Sequence, residues 1–358
     1  MSNYSFLDDY SEGAHPQILQ ALTATNAVQQ APYGEDAYSH KAKARIRSHL
    51  VNPDCSIFFV ASGTLANIVM IGSFLRPHEA VIAAASGHIV VRETGAIEAI
   101  GHKIITVPPV NGKLTPDSIR AALEANAHFP HMAKPRLVYV SNATEIGTIY
   151  SKAELQAISI LCRERDLILF LDGARLGAAL AGRQNDLTLA DIGLLTDAFW
   201  IGGTKVGALL GEAIVISNPS LAKDFAFHIK QRGGLLAKGR ILALQFHELF
   251  GPENLFFNLA RHSTAMAEKL AAGIVKAGYQ LAANTETNQI FPILPNALIE
   301  SLNKFFAFYV WEKRDELSSV IRLVTSWATE EAQVDRLVEA INSWTVSAAN
   351  VQPTTPLS

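Results

Sequence analysis

The stretch Trp200-Ile201-Gly202-Gly203-Thr204-Lys205-Val206-Gly207-Ala208-Leu209-Leu210-Gly211 decides how the rest of the chain is read. A lysine stands among four glycines, between an apolar run at Ala198 to Ile201 and a second at Ala213 to Ile216. Two β-type runs around a glycine-rich turn predict a hairpin. Most lysines decorate solvated surfaces, and a charged residue in a glycine turn is the ordinary reading. Here apolar residues close in from both sides. Loss of water disfavours an ammonium ion, so a lysine in this setting gives up its proton more easily and becomes a nucleophilic amine. An amine of that kind can form a Schiff base with an aldehyde.

Working outward, the chain has 358 residues, enough for one large domain and a smaller one. Hydrophobic residues make up 49% and charged residues 18%, the balance of a globular protein. A net charge of −3 gives no support to nucleic-acid binding. The two cysteines, Cys55 and Cys162, form neither a disulfide framework nor a metal-ligand spacing, so no metal site is expected. Met1 to Ser11 lacks a basic region followed by an apolar one, and no apolar run is long enough to span a bilayer. The expectation is a soluble cytoplasmic protein without membrane contact.

Strand and helix patterns alternate through the first two-thirds of the chain. Apolar runs at Ile57 to Val60, Ala80 to Ala85, Ile104 to Val107, Leu137 to Ser141, Leu167 to Leu171 and Ala198 to Ile201 predict buried strands. Helical spacing at Pro16 to Ala24, Ser39 to Leu50, Ser62 to Leu75, His88 to Ile100, Pro116 to Asn126 and Lys152 to Arg165 fills the intervals, with Thr115 as a cap. This predicts an α/β fold with a mostly parallel sheet and helices on both faces. Beyond Ser217 come helices at Leu221 to Gln231, Gly239 to Phe250 and Asn258 to Ala277. Short strands at Gln289 to Ile293, Phe305 to Val310 and Val320 to Thr325 follow, with helices at Asn296 to Asn303 and Glu330 to Trp344. The expected organisation is an irregular N-terminal segment (1–15), a large domain (16–249), a small α+β domain (250–345) and a disordered tail (346–358).

Three further stretches carry chemistry. Ser62-Gly63-Thr64-Leu65-Ala66-Asn67 follows a strand and opens a helix. Free amides and a positive dipole end make that a phosphate cup, although taken alone the same residues read more readily as an ordinary helix cap. No Gly-x-Gly-x-x-Gly and no Gly-Lys-Thr loop is present, so neither a dinucleotide nor a nucleoside triphosphate is indicated. In Leu171-Asp172-Gly173-Ala174-Arg175 an aspartate ends a hydrophobic strand, at the edge where α/β sheets place ligands. A buried carboxylate needs a partner, for which a protonated pyridine nitrogen is suitable, and Arg175 could fork onto a carboxylate. A capping aspartate beside a surface arginine is the alternative. His88 follows Gly87 at a strand-to-helix turn, with Glu93 five residues on to orient it.

Together with Asp8-Asp9-Tyr10-Ser11, Tyr33-Gly34-Glu35-Asp36, Gly87-His88, Asn142-Ala143-Thr144-Glu145-Ile146-Gly147, Gly203-Thr204-Lys205 and Arg322-Leu323-Val324-Thr325, these motifs resemble the low-specificity L-threonine aldolases. These are fold-type-I pyridoxal-phosphate enzymes of the β-eliminating lyase group. The resemblance runs from about Asp8 to Trp344 and rests on the order and spacing of the motifs.

It implies roles. Lys205 would hold pyridoxal 5′-phosphate covalently. Ser62, Gly63 and Thr64 would bind its phosphate, joined by Lys238 or Arg240 from a second subunit. His88 would stack on the ring and serve as the base for the substrate hydroxyl. Asp172 would pair with the ring nitrogen and keep the ring an electron sink. Arg175 and Arg322 would grip the substrate carboxylate near Asp9, and Tyr33 would reach in from a neighbour. The implied assembly is a homodimer or homotetramer with shared active sites, acting on a small β-hydroxy amino acid. Many relatives carry a serine just before the Asp8 position, where this chain has Leu7, and a second histidine where it has Thr144. Another lyase or an aminotransferase on the same fold is the alternative activity. A non-catalytic scaffold is a third reading, one that would have no use for a buried lysine.

Overall fold

In the computed structural model, which describes residues 3–349, the large core is built on a seven-stranded sheet. Its order is Ser56–Val60, Glu212–Ile216, Ala198–Gly202, Ile168–Asp172, Lys134–Ser141, Glu79–Ala84 and Lys103–Val107. Only Glu212–Ile216 runs antiparallel to its neighbours, and the hairpin it makes with Ala198–Gly202 is the one read around Lys205. The central strands are apolar without a break because both sheet faces are covered. Alternate residues serve opposite layers: Val138, Val140, Leu169, Leu171, Phe199 and Ile201 pack into one core. Leu137, Tyr139, Ile168, Phe170, Ala198 and Trp200 pack into the other.

A third core lies in the C-terminal part, under an antiparallel sheet of Gln289–Ile290, Ile293–Pro295, Tyr309–Lys313 and Ser318–Val324. The helix Leu255–Lys276 belongs to two cores: Leu255, Phe256 and Leu259 pack against the large sheet, whereas Ala267, Leu270 and Ile274 pack in the C-terminal core. Among the described residues no helix is long and apolar enough to cross a membrane.

The structure corrects several local expectations. The N-terminal segment is not wholly irregular: Tyr4–Ser5 forms a strand paired in parallel with Phe306–Ala307, and Phe6 is fully buried in the C-terminal core. The single helix expected over 88–100 is two short ones, His88–Val91 and Ala96–Ala99. Thr94 (φ 54°) and Gly95 (φ 71°) lie between them in the left-handed region, which no helix tolerates. The helix expected over 221–231 is likewise split, with Asp224 at φ 60° between Pro219–Ala222 and Phe225–Gln231. The last helix, Glu331–Ala349, runs into the segment expected as a tail; residues 350–358 lie outside the described residues.

Candidate active site

The C-terminal ends of the parallel strands deliver most of the site, as open α/β sheets do. Asp172 ends one strand, Ser141 its neighbour, and Gly202 the next. Lys205 sits in a single tight turn, Thr204–Val206, closed by Gly207 at φ 87°. Glu212, on the returning strand, braces that turn. Its Oε2 accepts from the Gly203 amide at 2.9 Å and its Oε1 from the Thr204 hydroxyl at 3.0 Å.

Two joined cavities meet at Lys205. The inner one, about 390 Å³, has Ser62, Gly63 and Thr64 on one side and Asp172, Trp200 and His88 on another. The outer one, about 750 Å³, brings Arg175, Arg322, Glu145, Tyr309 and Trp311 to the same lysine. Lys205 and His88 line both. The remaining surface of Lys205 faces this space. Burial lowers its pKa, and the Arg175 cation lowers it further, against the pull of Asp9, Asp172 and Glu212. Burial pushes the Glu212 carboxyl up to about 7.

Asp172 is buried and well supplied with donors. Its Oδ2 accepts from Tyr139 at 2.6 Å and from Asn67 Nδ2 at 3.1 Å, and its Oδ1 from the Ala174 amide at 3.0 Å. Burial, and then the neighbouring Asp172 charge, raise the Tyr139 hydroxyl well above its ordinary pKa, so it stays a donor. His88 is oriented by Glu93, with Nδ1 at 2.8 Å from Oε1. Glu145 Oε1 accepts from the His88 amide at 3.0 Å and the Ser141 hydroxyl at 2.8 Å, and burial raises its pKa.

At the helix start, the Ser62 hydroxyl accepts from the Leu65 amide at 3.3 Å, so the ordinary cap is real. The first backbone bond of the helix is Ala66 to Ser62, which leaves the Gly63 and Thr64 amides ahead of it, beside the inner cavity. The cap and the two free amides therefore coexist at the same helix start. Gly63 is required for another reason: a Cβ there would stand 2.7 Å from the Trp200 ring.

The arginines differ in what holds them. Arg175 is bound to Asp9 through Nε and Nη2. Arg322 gives one Nη2 bond to the Leu7 carbonyl at 3.0 Å and lies 5.1 Å from the centroids of both Tyr309 and Trp311. Leu7 thus contributes its backbone oxygen to Arg322.

Lys205, His88, Ser62, Gly63, Thr64, Asp172, Arg175 and Arg322 line the two cavities, whereas Asp9, expected to contact substrate, lines neither and is buried behind Arg175, its carboxylate taken by Arg175 and Asn288. Tyr33 and Lys238 do not line either cavity of their own chain. Tyr33 borders a separate apolar recess with Phe58, Phe59 and Leu236, under the Lys230 ammonium at 4.6 Å. Its amide donates to Ala237, next to the exposed Lys238, so the two residues share one surface. The residue-by-residue reading passed over Tyr139, Glu145 and Glu212 as partners. Glu212 opens an apolar strand and Glu145 lies just past the end of another, while Tyr139 stands within a strand among apolar residues and leaves no separate trace in the sequence.

A mainly parallel sheet with a lysine hairpin and a strand-end aspartate facing it is the architecture of the fold-type-I pyridoxal-phosphate enzymes. A mutant aspartate aminotransferase of Thermus thermophilus superposes with a TM-score of 0.70 at 14% identity, over 95% of this chain and 91% of that one. Within that fold, the chain belongs to the β-eliminating lyase family, whose profile matches residues 6–296. It is 34% identical to a low specificity L-threonine aldolase of a Pseudomonas species, over 94% of this chain and 97% of the relative. A threonine aldolase structure from Leishmania major matches with a TM-score of 0.94 and 48% identity, over 96% of this chain and 99% of that one.

Proposed function

We propose that this protein is a pyridoxal-phosphate-dependent lyase that cleaves L-threonine, L-allo-threonine and other β-hydroxy-α-amino acids between Cα and Cβ, giving glycine and an aldehyde. The observation that carries the reading is the convergence on Lys205 of a donor-stabilised carboxylate, Asp172, with two arginines and a histidine.

The residues present fit the cofactor. Asp172 accepts three hydrogen bonds, from Tyr139, Asn67 and Ala174, which hold its carboxyl in place as the partner for a pyridinium nitrogen. The amides of Gly63 and Thr64 border the same cavity and suit a phosphate. When bound, pyridoxal phosphate supplies an aldehyde for Lys205 and an electron sink for the breaking bond. Burial lowers the Lys205 pKa and so favours the nucleophilic amine. Arg322, with Arg175 beside it, would grip the substrate carboxylate and so set the torsion that aligns the Cα–Cβ bond for cleavage. His88 would face the substrate hydroxyl and receive its proton as the bond opens.

The shared surface of Tyr33 and Lys238 supports a homodimer or homotetramer in which each chain completes its neighbour's site. A cytoplasmic location belongs to the same reading and suits the two free, buried thiols of Cys55 and Cys162.

The test is product analysis with L-threonine, L-allo-threonine and the D isomers. Acetaldehyde and glycine are expected from the L substrates. Formation of 2-oxobutanoate instead would replace the aldolase by a dehydratase.

A further inference from the structure

A buried chain of hydrogen bonds joins His88 to Asp172. The Trp200 indole Nε1–H donates to Asn67 Oδ1 at 3.1 Å. Indole can only donate, so this contact fixes which end of the Asn67 amide is oxygen. The other end, Nδ2, then presents two N–H groups. One goes to Glu93 Oε1 at 2.7 Å and the other to Asp172 Oδ2 at 3.1 Å. Glu93 Oε1, already accepting from Asn67, stands 2.8 Å from His88 Nδ1. As a carboxylate Glu93 can only accept, so this contact calls for an N–H at His88 Nδ1 and leaves Nε2 outside the chain of bonds. Asn67, Glu93, Trp200 and Asp172 are all buried, so water does not compete for these bonds.

The amide suits this place. It is uncharged between two carboxylates, donates to both, and accepts from the indole. Aspartate has no proton to give at either end, and serine has one where two are used. The first short helix ends at Val91, and Glu93 lies in the turn that follows it, just before the left-handed Thr94 and Gly95, with its carboxylate against His88 Nδ1.

We propose that Asn67 and Glu93 are positioning residues for the lyase reaction: through one amide they hold the His88 ring with Nε2 free for the substrate hydroxyl and lock that ring to Asp172. The inference rests on the threonine-cleaving reading above. No covalent step is added; the hydroxyl proton passes to Nε2, and Glu93 stabilises the cation that results.

Nitrogen-15 histidine spectra of the full chain, with His88 assigned by its missing signal in His88→Asn, read the tautomer without substrate. At mildly alkaline pH, a protonated Nδ1 and a bare Nε2 are expected. The opposite tautomer, or a ring protonated on both nitrogens, overturns the proposal.

Kinetics of the holoenzyme give the second readout. Glu93→Gln should lower kcat for L-threonine by roughly 100-fold, the scale of general-base help, with KM within about threefold of wild type. Exchange of the glycine α-hydrogen in deuterated water does not involve the substrate hydroxyl, so it should continue near the wild-type rate. Asn67→Ala cuts both arms and should slow cleavage and exchange together. Wild-type kcat in Glu93→Gln, or exchange falling in step with cleavage there, overturns the positioning role. Thermal unfolding checks each variant, and Glu93→Gln carries the test if Asn67→Ala does not fold. A wild-type chain that exchanges glycine but leaves threonine intact would instead sink the proposed function, leaving the tautomer result untouched.

Discussion

Asp9 and Arg175, 166 residues apart, face each other through two parallel hydrogen bonds, Nε to Oδ2 at 2.8 Å and Nη2 to Oδ1 at 3.0 Å. Asn288 Nδ2 adds a third bond to Oδ2 at 2.8 Å. Burial alone would raise the Asp9 carboxyl, but the Arg175 and Lys205 cations, with the hydrogen bonds from Arg175 and Asn288, together outweigh it and hold the pKa below the usual carboxylate range. The pair ties the N-terminal segment to the large sheet beside Lys205. It engages the Nε/Nη2 edge of Arg175, whereas Arg322 gives a single bond to a backbone carbonyl and is the less committed cation in the outer cavity.

Breaking that pair should be costly. Asp9→Asn strands a buried guanidinium, and a loss of about 3–5 kcal/mol is expected from denaturant unfolding. The pH dependence has a definite sign. A carboxyl with a depressed folded-state pKa contributes stability above its unfolded value of 3.8, and that contribution disappears as pH falls through the lower folded value. Wild type should therefore lose stability in acid more steeply than Asp9→Asn; equal slopes would remove Asp9 from the account.

Arg322→Ala should raise KM for L-threonine by about 10–100-fold, the loss of a charge-assisted bond of roughly 1.5–3 kcal/mol, with cofactor still bound. Arg322→Lys should recover only part, since an ammonium cannot reproduce the flat contact between Tyr309 and Trp311. An unaltered KM in the alanine variant would take Arg322 out of the carboxylate clamp.

Lys205→Ala should yield a folded, colourless protein that cleaves nothing. Wild type mixed with pyridoxal phosphate and dialysed should stay yellow. Retention of the same visible band by the variant would mean that the lysine assignment is wrong.

Gly173→Ala tests the packing beneath the site. A Cβ there would stand 1.8 Å from the Trp200 carbonyl oxygen, a backbone atom that cannot step aside. The strand ends carrying Asp172 and Trp200 would be forced apart. We expect a loss at or above the upper end of the roughly 1–3 kcal/mol of ordinary overpacking, read from the denaturant midpoint, together with weaker cofactor retention. A midpoint equal to wild type would show that the two strand ends are loosely coupled.

The readings that held were local ones. The hairpin around Lys205 was legible because two apolar runs and a glycine turn lie within one short stretch. Asp172 could be placed at a strand end because Leu167 to Leu171 is apolar throughout, and a charge ends the run. The breaks at Thr94 and Asp224 were not legible. Both are ordinary polar residues in helical spacing, and their left-handed backbone is imposed by packing rather than by propensity.

Periodicity and turn chemistry along the chain thus determined the layered architecture, the lysine, and the ends of the strands that carry chemistry, since each depends on residues a few positions apart. Which partners those residues meet was decided by the folded chain alone. Asp9 with Arg175, Arg322 with the Leu7 carbonyl, and the path from His88 through Glu93 and Asn67 to Asp172 join segments distant in sequence. Hydrogen bonds and charge act through space, so such pairs leave no spacing to read; they exist only once the cores have brought the segments together.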